Sequence, residues 1–147
     1  MTGIVVVPFD AAHAPSLARL YLAARRATFH WAPADRFALH DFAPDTDGEV
    51  IEVALHDGEP VGFVSVWMPA HFIHHLYVDA AYQGLGIGTL LLDRALQRIG
   101  RPAGLKCVER NARALAFYRA KGWRFVAHGE DDLGRHHLLA FDAVTPP

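Results

Sequence analysis

A mixed α/β (α+β) domain is the fold class that this sequence predicts, and three observations predict it. Strand-like pairs come first, on both sides of the turn signal Asp57-Gly58. Helical segments then alternate with strands from about residue 72 onward, as in βαβ-like units. The length of 147 residues and the hydrophobic content of 52% fit one domain, residues 1–147, with a full core.

Seven segments have the β-branched or alternating composition of strands. They are Ile4–Val7, Val50–Leu55, Val61–Trp67, Phe72–Val78, Leu105–Val108, Trp123–Ala127 and His136–Phe141. A helix is expected after the capping residue Asp10, and a short one around Asp35–Phe42. A third follows Gly88, and a fourth is capped by Asn111. The inward residues of the last two are Leu91, Leu92, Ala95, Leu96, Ile99, Ala114, Leu115, Phe117 and Tyr118.

Charge and composition exclude several classes of function. The net charge of −2 leaves no basic excess for binding a nucleic-acid backbone. No apolar run reaches the roughly 18 residues of a membrane span, and the first residues lack the basic region of a signal peptide. The single cysteine, Cys107, excludes an internal disulfide. We therefore expect a cytoplasmic protein with no nucleic-acid or membrane partner.

Ten histidines raise the question of a bound metal. Only His71 and His74 have the spacing of metal ligands, and no carboxylate completes an evident set around them. We therefore expect no metal cofactor.

The stretch Gln83–Gly88 carries a glycine at every second position, between a predicted strand and a predicted helix. Such a turn lets the backbone approach a ligand closely, and the N–H groups at a helix start attract a phosphate or pyrophosphate. A tight turn without a ligand has the same composition. Two other phosphate-binding patterns fit less well. A dinucleotide site needs a further glycine where Thr89 or Leu91 stands, and a Walker loop needs a lysine.

The residues around this turn resemble the signature of the GNAT superfamily of acetyl-CoA-dependent N-acetyltransferases. Its core, Gln/Arg-x-x-Gly-x-Gly/Ala, is met by Gln83, Gly86 and Gly88. A second segment, Asn111–Trp123, resembles the family's later helix with its Asn, Phe-Tyr and terminal Gly-aromatic pair. The resemblance implies a GNAT-like, mostly antiparallel sheet of six to seven strands, splayed in the middle and flanked by about four helices.

The resemblance also implies that acetyl-CoA is the co-substrate, with its pyrophosphate on the backbone amides of the turn. The strands Phe72–Val78 and Leu105–Val108 should diverge, and the pantetheine arm should pair with backbone in the gap. Amides near Val78 would face the thioester carbonyl, where they stabilise a developing oxyanion. The residues placed against acetyl-CoA are Leu76, Val78, Gln83, Gly84, Leu85, Gly86, Ile87, Gly88, Thr89, Asn111 and Phe117.

Tyr118 matches the family tyrosine that protonates the leaving thiolate. A phenol has a pKa of about 10 and a thiol about 8.5, so a nearby tyrosine can share or transfer its proton as the C–S bond breaks. On the helical pattern alone, Tyr118 would be a core aromatic residue. The resemblance makes it the candidate acid for acetyl transfer to a primary amine.

The base that removes the proton from the amine stays open. Many family members carry a glutamate on one of the two diverging strands, and this sequence has none there; Lys106 stands on the second strand. Because side chains alternate along a strand, one of His74 and His75 should face the cleft. His74 shares parity with Leu76 and is the first candidate. His75, Glu109 and a water molecule are the alternatives.

The acceptor is expected to be a primary amine on a small metabolite, a peptide or a protein. Its contacts are expected in residues 21–46, whose aromatic side chains either line the acceptor site or only pack a lid. Arg25 and Arg26 either lie on a solvated face or line that site. Family members are often dimers, so the resemblance allows a homodimer. The alternative function is a non-catalytic acyl-CoA-binding or regulatory module on the same fold.

Overall fold

Seven strands form one mixed sheet in the computed structural model, which describes residues 3–143. The strands are β1 (Ile4–Pro8), β2 (Val50–His56), β3 (Glu59–Trp67), β4 (Phe72–Val78), β5 (Ala103–Val108), β6 (Arg124–Asp131) and β7 (Gly134–Phe141). They lie in the order β1-β2-β3-β4-β5-β7-β6. The β4–β5 pair is parallel, and the other neighbours are antiparallel. The mixed, mostly antiparallel sheet is therefore confirmed.

Four α-helices cover this sheet within residues 3–143: α1 (Ala14–Thr28), α2 (Phe42–Asp45), α3 (Ile87–Arg98) and α4 (Ala112–Ala120). Asp10 caps a short 3-10 turn before α1, where its carboxylate accepts a hydrogen bond from the Ala12 N–H at 2.9 Å. Asn111 caps α4 as predicted, and its side-chain oxygen accepts from the Ala114 N–H at 3.2 Å.

The helix predicted around Asp35–Phe42 is wrong. That segment forms two 3-10 turns, Ala34–Arg36 and Leu39–Asp41, and α2 begins only at Phe42. The Asp41 carboxylate accepts a hydrogen bond from the Ala38 N–H at 2.9 Å. This side-chain bond gives the backbone an alternative to helical bonding, and sequence periodicity does not register it.

Two apolar cores lie on opposite faces of the sheet. The larger core packs α3 and α4 against the sheet, and its buried members from α3 are Ile87, Leu91, Leu92, Ala95 and Leu96. The smaller core packs α1 and α2 against the other face, with Leu17, Leu20, Tyr21, Phe42, Ile51, Val53 and Phe63. Each helix buries one stripe because its apolar residues recur every three or four positions.

The centre of the sheet opens between β4 and β5. Phe72 pairs with Gly104 and Ile73 with Leu105, and no further residues of the two strands pair. Beyond Ile73, β4 continues for five residues along β3 alone. The predicted splay of the two central strands is therefore confirmed. Among residues 3–143, no helix combines the length and apolar character needed to cross a membrane.

Leu91 offers a test of the larger core, because it is fully buried on α3 while its neighbour Leu90 is 46% exposed. We expect Leu91→Ala to lower the free energy of unfolding by about 2–5 kcal/mol through lost burial and a residual cavity. Leu90→Ala should change it by less than about 0.5 kcal/mol. Urea denaturation of both variants measures the difference, and equal losses would contradict this packing.

Candidate functional site

The gap between β4 and β5 is a cavity of about 100 Å³. It lies at the level where the two strands have separated, and α4 and the end of α1 close its sides. The residues that line it are Thr28, Phe29, Ile73, His74, His75, Leu76, Tyr77, Leu105, Lys106, Cys107, Val108, Asn111, Ala114 and Tyr118. Strand separation therefore exposes backbone and side chains of both strands to one cleft.

The glycine-rich turn lies between β4 and the start of α3. Gly84 and Gly86 have φ angles of +77° and +82°, a conformation that favours glycine, and a Cβ at either would meet nothing within 4 Å. The first helical bond joins the Leu90 N–H to the Gly86 carbonyl at 3.1 Å. The N–H groups of Ile87, Gly88 and Thr89 precede it, so they have no acceptor inside the helix. The turn thus presents unpaired donors at the positive end of α3.

The outer edge of β4 presents backbone groups to the gap. The Asp79 N–H donates to the Val61 carbonyl at 2.8 Å, in the direction of β3. Because successive residues of a strand point their backbone groups to opposite edges, the N–H groups of Val78 and Leu76 point to the gap. The Val78 carbonyl already accepts a hydrogen bond from the Gln83 side-chain amide at 3.0 Å. Gln83 therefore ties the glycine turn to the end of β4.

Tyr118 projects from α4 into the cavity and contacts Trp123 and Phe117, with ring centroids 5.9 and 5.2 Å away. Within residues 3–143, the hydroxyl of Tyr118 has no hydrogen-bond partner. Burial raises the pKa of Tyr118, so this hydroxyl stays protonated at neutral pH. The cavity therefore contains a neutral phenol whose donor is free.

Cys107 lines the same cavity, and burial raises the pKa of its thiol to about 11. A thiol with this pKa is almost entirely protonated at neutral pH, and a protonated thiol is a poor nucleophile. Cys107 is therefore a poor candidate for a nucleophile.

Asn111 and Phe117 lie at two ends of the predicted cofactor path. Asn111 lines the cavity while its side-chain oxygen caps α4. The Phe117 ring faces the glycine turn, because a Cβ on Gly88 would lie 3.8 Å from its tip. The side chain of Ile87 is buried in the larger core, so only its backbone is available to a ligand. Leu85 is exposed beside it.

The two adjacent histidines of β4 do not alternate as predicted. Ser65 of β3 pairs with His75, and Val66 pairs with Ile73, so His74 is an extra, bulged residue in β4. The rings of His74 and His75 stack with centroids 3.9 Å apart. A bulge shifts side-chain direction locally, so the parity with Leu76 does not hold for His74. Both histidines line the cavity instead of one.

His74 is paired with a carboxylate that sequence reasoning missed. Its Nδ1 lies 2.5 Å from Oε2 of Glu49, whose side chain is only 5% exposed. The other oxygen of Glu49 accepts a hydrogen bond from the Ser65 hydroxyl. A carboxylate at Nδ1 holds the proton there and leaves Nε2 as the acceptor nitrogen. Glu49 is distant in sequence and lies in no motif, so no sequence signal pointed to it.

His75 has a different environment. Its Nε2 donates to the Asp45 carbonyl at 3.2 Å, and its ring packs against Tyr21 and Tyr77 in the smaller core. Burial, together with the smaller effect of the neighbouring His74, lowers the pKa of His75 to about 3. His75 is therefore neutral and structural at physiological pH.

The segment 21–46 divides into packing residues and cavity residues. Phe37 and Phe42 are buried, so they pack the lid. Phe29 lines the cavity. Arg25 does not lie on a solvated face, which was one of the two expectations for it. Its side chain is 13% exposed and pairs with Asp41 at 3.0 Å.

Lys106 and Glu109 are both held by other side chains. Lys106 lines the cavity, but its ammonium lies 2.8 Å from a carboxylate oxygen of Asp131. Glu109 does not line the cavity; it faces His128, Arg135 and His137. The structure therefore does not bring Glu109 to the cleft, where it would have to act as a base.

The environment of His75 makes folding stability depend on pH. Its pKa is about 3 in the folded protein and about 6.5 in an unfolded chain. Between these pH values the unfolded chain binds a proton on His75 that the folded protein does not bind. The stability that comes from a neutral His75 is therefore complete above about pH 6.5 and is lost as the pH falls toward about 3. Urea denaturation should detect a loss of up to about 1.4 kcal/mol per pH unit from this residue.

The matched variant is His75→Gln, which keeps an amide donor for the Asp45 carbonyl. Its free energy of unfolding should depend less steeply on pH over the same range. Equal slopes in the variant and the parent protein would contradict a buried neutral imidazole.

Comparison with known sequences gives a family and a relative. The model of the acetyltransferase (GNAT) family matches residues 14–123. The peptidyl-lysine N-acetyltransferase YjaB of Salmonella typhimurium is 32% identical over 101 residues, which are 67% of this chain. The match spans 66% of the length of that relative.

Solved structures share the fold. A GCN5-related N-acetyltransferase from Rhodopseudomonas palustris superposes with a TM-score of 0.80 at 19% identity, covering 97% of this chain and 98% of that one. Arabidopsis thaliana Naa50, in complex with the bisubstrate analogue CoA-Ac-MVNAL, gives 0.74 at 15% identity, covering 97% of this chain and 100% of Naa50. With its splayed sheet and its family match over most of its length, this chain belongs to the GNAT family of acetyltransferases.

Proposed function

We propose that this protein transfers the acetyl group of acetyl-CoA to a primary amine by direct attack. The observation that carries the proposal is the combination of unpaired N–H donors at the start of α3 with an open β4–β5 gap that contains a free phenol. The first feature suits a pyrophosphate, and the second suits a thioester carried on an extended arm.

In this proposal the glycine turn holds the pyrophosphate through the amides of Leu85 to Thr89. Gly84 and Gly86 give the turn its shape, and Gln83 anchors it to β4. The pantetheine pairs with the outer edge of β4 at Leu76 and Val78. Asn111 and Phe117 flank the arm on the side of α4.

We assign the role of base to His74. Its Nε2 takes a proton from the protonated amine, and Glu49 at Nδ1 stabilises the imidazolium that forms. The amine nitrogen then forms a bond to the thioester carbon, and the Val78 N–H region stabilises the oxyanion. This pair replaces the strand glutamate that many family members carry.

Tyr118 completes the reaction as the acid. The C–S bond breaks as the tetrahedral intermediate collapses, and the Tyr118 hydroxyl gives its hydrogen to the leaving sulfur. The amine nitrogen loses its second proton as the amide forms, and this proton restores the Tyr118 hydroxyl. Burial raises the pKa of Tyr118. A thiolate in the same dry cleft becomes more basic for the same reason, so the two remain comparable.

The acceptor class follows from the likeness to the Salmonella relative, which is named for peptidyl-lysine. We propose that lysine side chains of peptides or proteins are among the acceptors, with small primary amines as the alternative. Thr28 and Phe29 line the cavity at the end of α1, and we propose that the amine enters on that side.

Gly86→Ala tests the cofactor site. The variant strains a left-handed turn by about 1–2 kcal/mol, and its methyl group stands where the phosphate would lie. We expect weaker acetyl-CoA binding in calorimetry, by at least about tenfold. Gly58→Ala is the matched control, because Gly58 has a φ of +81° and equally open surroundings in the β2–β3 turn. Equal effects of both variants on acetyl-CoA binding would contradict the assignment.

Tyr118→Phe and His74→Gln test the chemistry in a CoA-release assay with lysine peptides and small amines. Each should lower kcat by about 100-fold or more, the usual contribution of a general acid or base. Acetyl-CoA affinity should stay within about threefold, since neither side chain carries the phosphate contacts. Binding of acetyl-CoA without acetylation of any amine in the parent protein would instead favour the non-catalytic module.

A further inference from the structure

A second cluster of ligand-type side chains lies on the far side of β5, where the β6–β7 hairpin meets the end of that strand. It consists of Glu109, His128 and His137, whose side-chain ligand atoms all lie within 4.8 Å of one another. Nε2 of His137 is 3.2 Å from Oε2 of Glu109, and Nε2 of His128 is 3.6 Å from the same oxygen.

These distances are those of ligands around one small ion. Two ligand atoms bound tetrahedrally to Zn²⁺ at about 2.0–2.1 Å lie about 3.3 Å apart. The separations between Glu109 and the two imidazoles fall on either side of this value without any movement of the backbone. Two imidazoles and one carboxylate are also a ligand set that suits zinc.

The sheet holds the three side chains in place. His128 of β6 is directly opposite His137 of β7 in the antiparallel register. Glu109 follows β5 immediately, and its backbone N–H donates to the Arg135 carbonyl of β7 at 2.8 Å. Two ligands on paired strands and a third whose backbone is bonded to β7 lose little conformational entropy on binding, so the site is preorganised.

The exposure of the three side chains also fits a metal site with one coordination position open to solvent. The side chain of His137 is 18% exposed, while those of Glu109 and His128 are 44% and 43% exposed. An ion entering from solvent reaches all three ligand atoms and keeps room for a bound water molecule. The expectation of no metal depended on the spacing of histidines along the chain near His71. Spacing does not show ligands that are distant in the chain and close together in the folded sheet.

We propose that Glu109, His128 and His137 bind one Zn²⁺ ion, with water as the fourth ligand. The ion would clamp the β6–β7 hairpin to the end of β5, next to the start of α4, and so stabilise the folded state. This site is separate from the cleft, so the proposal stands whether or not the protein acetylates amines.

The neighbouring Arg135 offers a further test, because its charge predicts the direction in which the affinity for Zn²⁺ should change. The Arg135 guanidinium lies 3.4 Å from the same carboxylate oxygen of Glu109, and its positive charge opposes a nearby cation. Removing it should strengthen Zn²⁺ binding. If the three side chains only form ion pairs and bind no metal, removing Arg135 would not strengthen Zn²⁺ binding.

The test uses tag-free protein, dialysed against EDTA and then against buffer, titrated with ZnCl₂ by calorimetry and followed by thermal unfolding. We expect one strong Zn²⁺ site and a rise in Tm with Zn²⁺. His128→Gln and His137→Gln should each weaken binding beyond the roughly 10- to 100-fold that loss of an outer partner costs. Arg135→Gln should strengthen it.

The matched control is His74→Gln, because Glu49, His74 and His75 form the other close group of such side chains within residues 3–143. This control should leave the strong site unchanged. The proposal is overturned if the protein shows no Zn²⁺ binding, or if strong binding survives in both His128→Gln and His137→Gln. It is equally overturned if His74→Gln is the variant that abolishes binding. Circular dichroism verifies that each variant is folded.

Discussion

The early end of the β4–β5 ladder is the constraint on which the rest of this structure depends. After Ile73 the outer edge of β4 has no neighbouring strand, although it lies in the middle of the sheet. Backbone N–H and C=O groups in such a place need partners, and a closed sheet would have provided them. The gap therefore combines an unsatisfied strand edge with walls made by two apolar cores. The thioester arm that we propose for this gap would satisfy both conditions at once.

The surroundings of the gap shift the pKa values of its ionisable groups in different directions. Burial is the main cause that raises the pKa of Tyr118 and of Cys107, whereas burial and the neighbouring His74 lower the pKa of His75. His74 differs from these groups because it is half-exposed and lies against the buried carboxylate of Glu49. The cleft thus contains an imidazole paired with a carboxylate and a neutral phenol, and our proposal assigns the base to the first and the acid to the second.

The two sides of the sheet serve different purposes. The segment after α1 is held against the smaller core by paired charges, such as Arg25 with Asp41, and by buried aromatic rings. The larger core holds α3 and α4, and these helices supply the glycine turn and Tyr118. The outer hairpin of β6 and β7 is mostly exposed and buries few apolar side chains. An ion that ties this hairpin to β5 would therefore add stability where the apolar core contributes least.

The sequence by itself determined the order of the seven strands and the three longer helices, the inward face of α3, the cap on α4 by Asn111, and the glycine turn. Periodicity, capping and turn chemistry act over a few neighbouring residues. Only the tertiary structure decided which side chains meet across the sheet. The bulge at His74, the approach of Glu49 to its ring, and the gathering of Glu109 with His128 and His137 all depend on strand register. Register depends on the hydrophobic patterns of both paired strands and on turn geometry, so one segment considered alone does not show which side chains meet across the sheet.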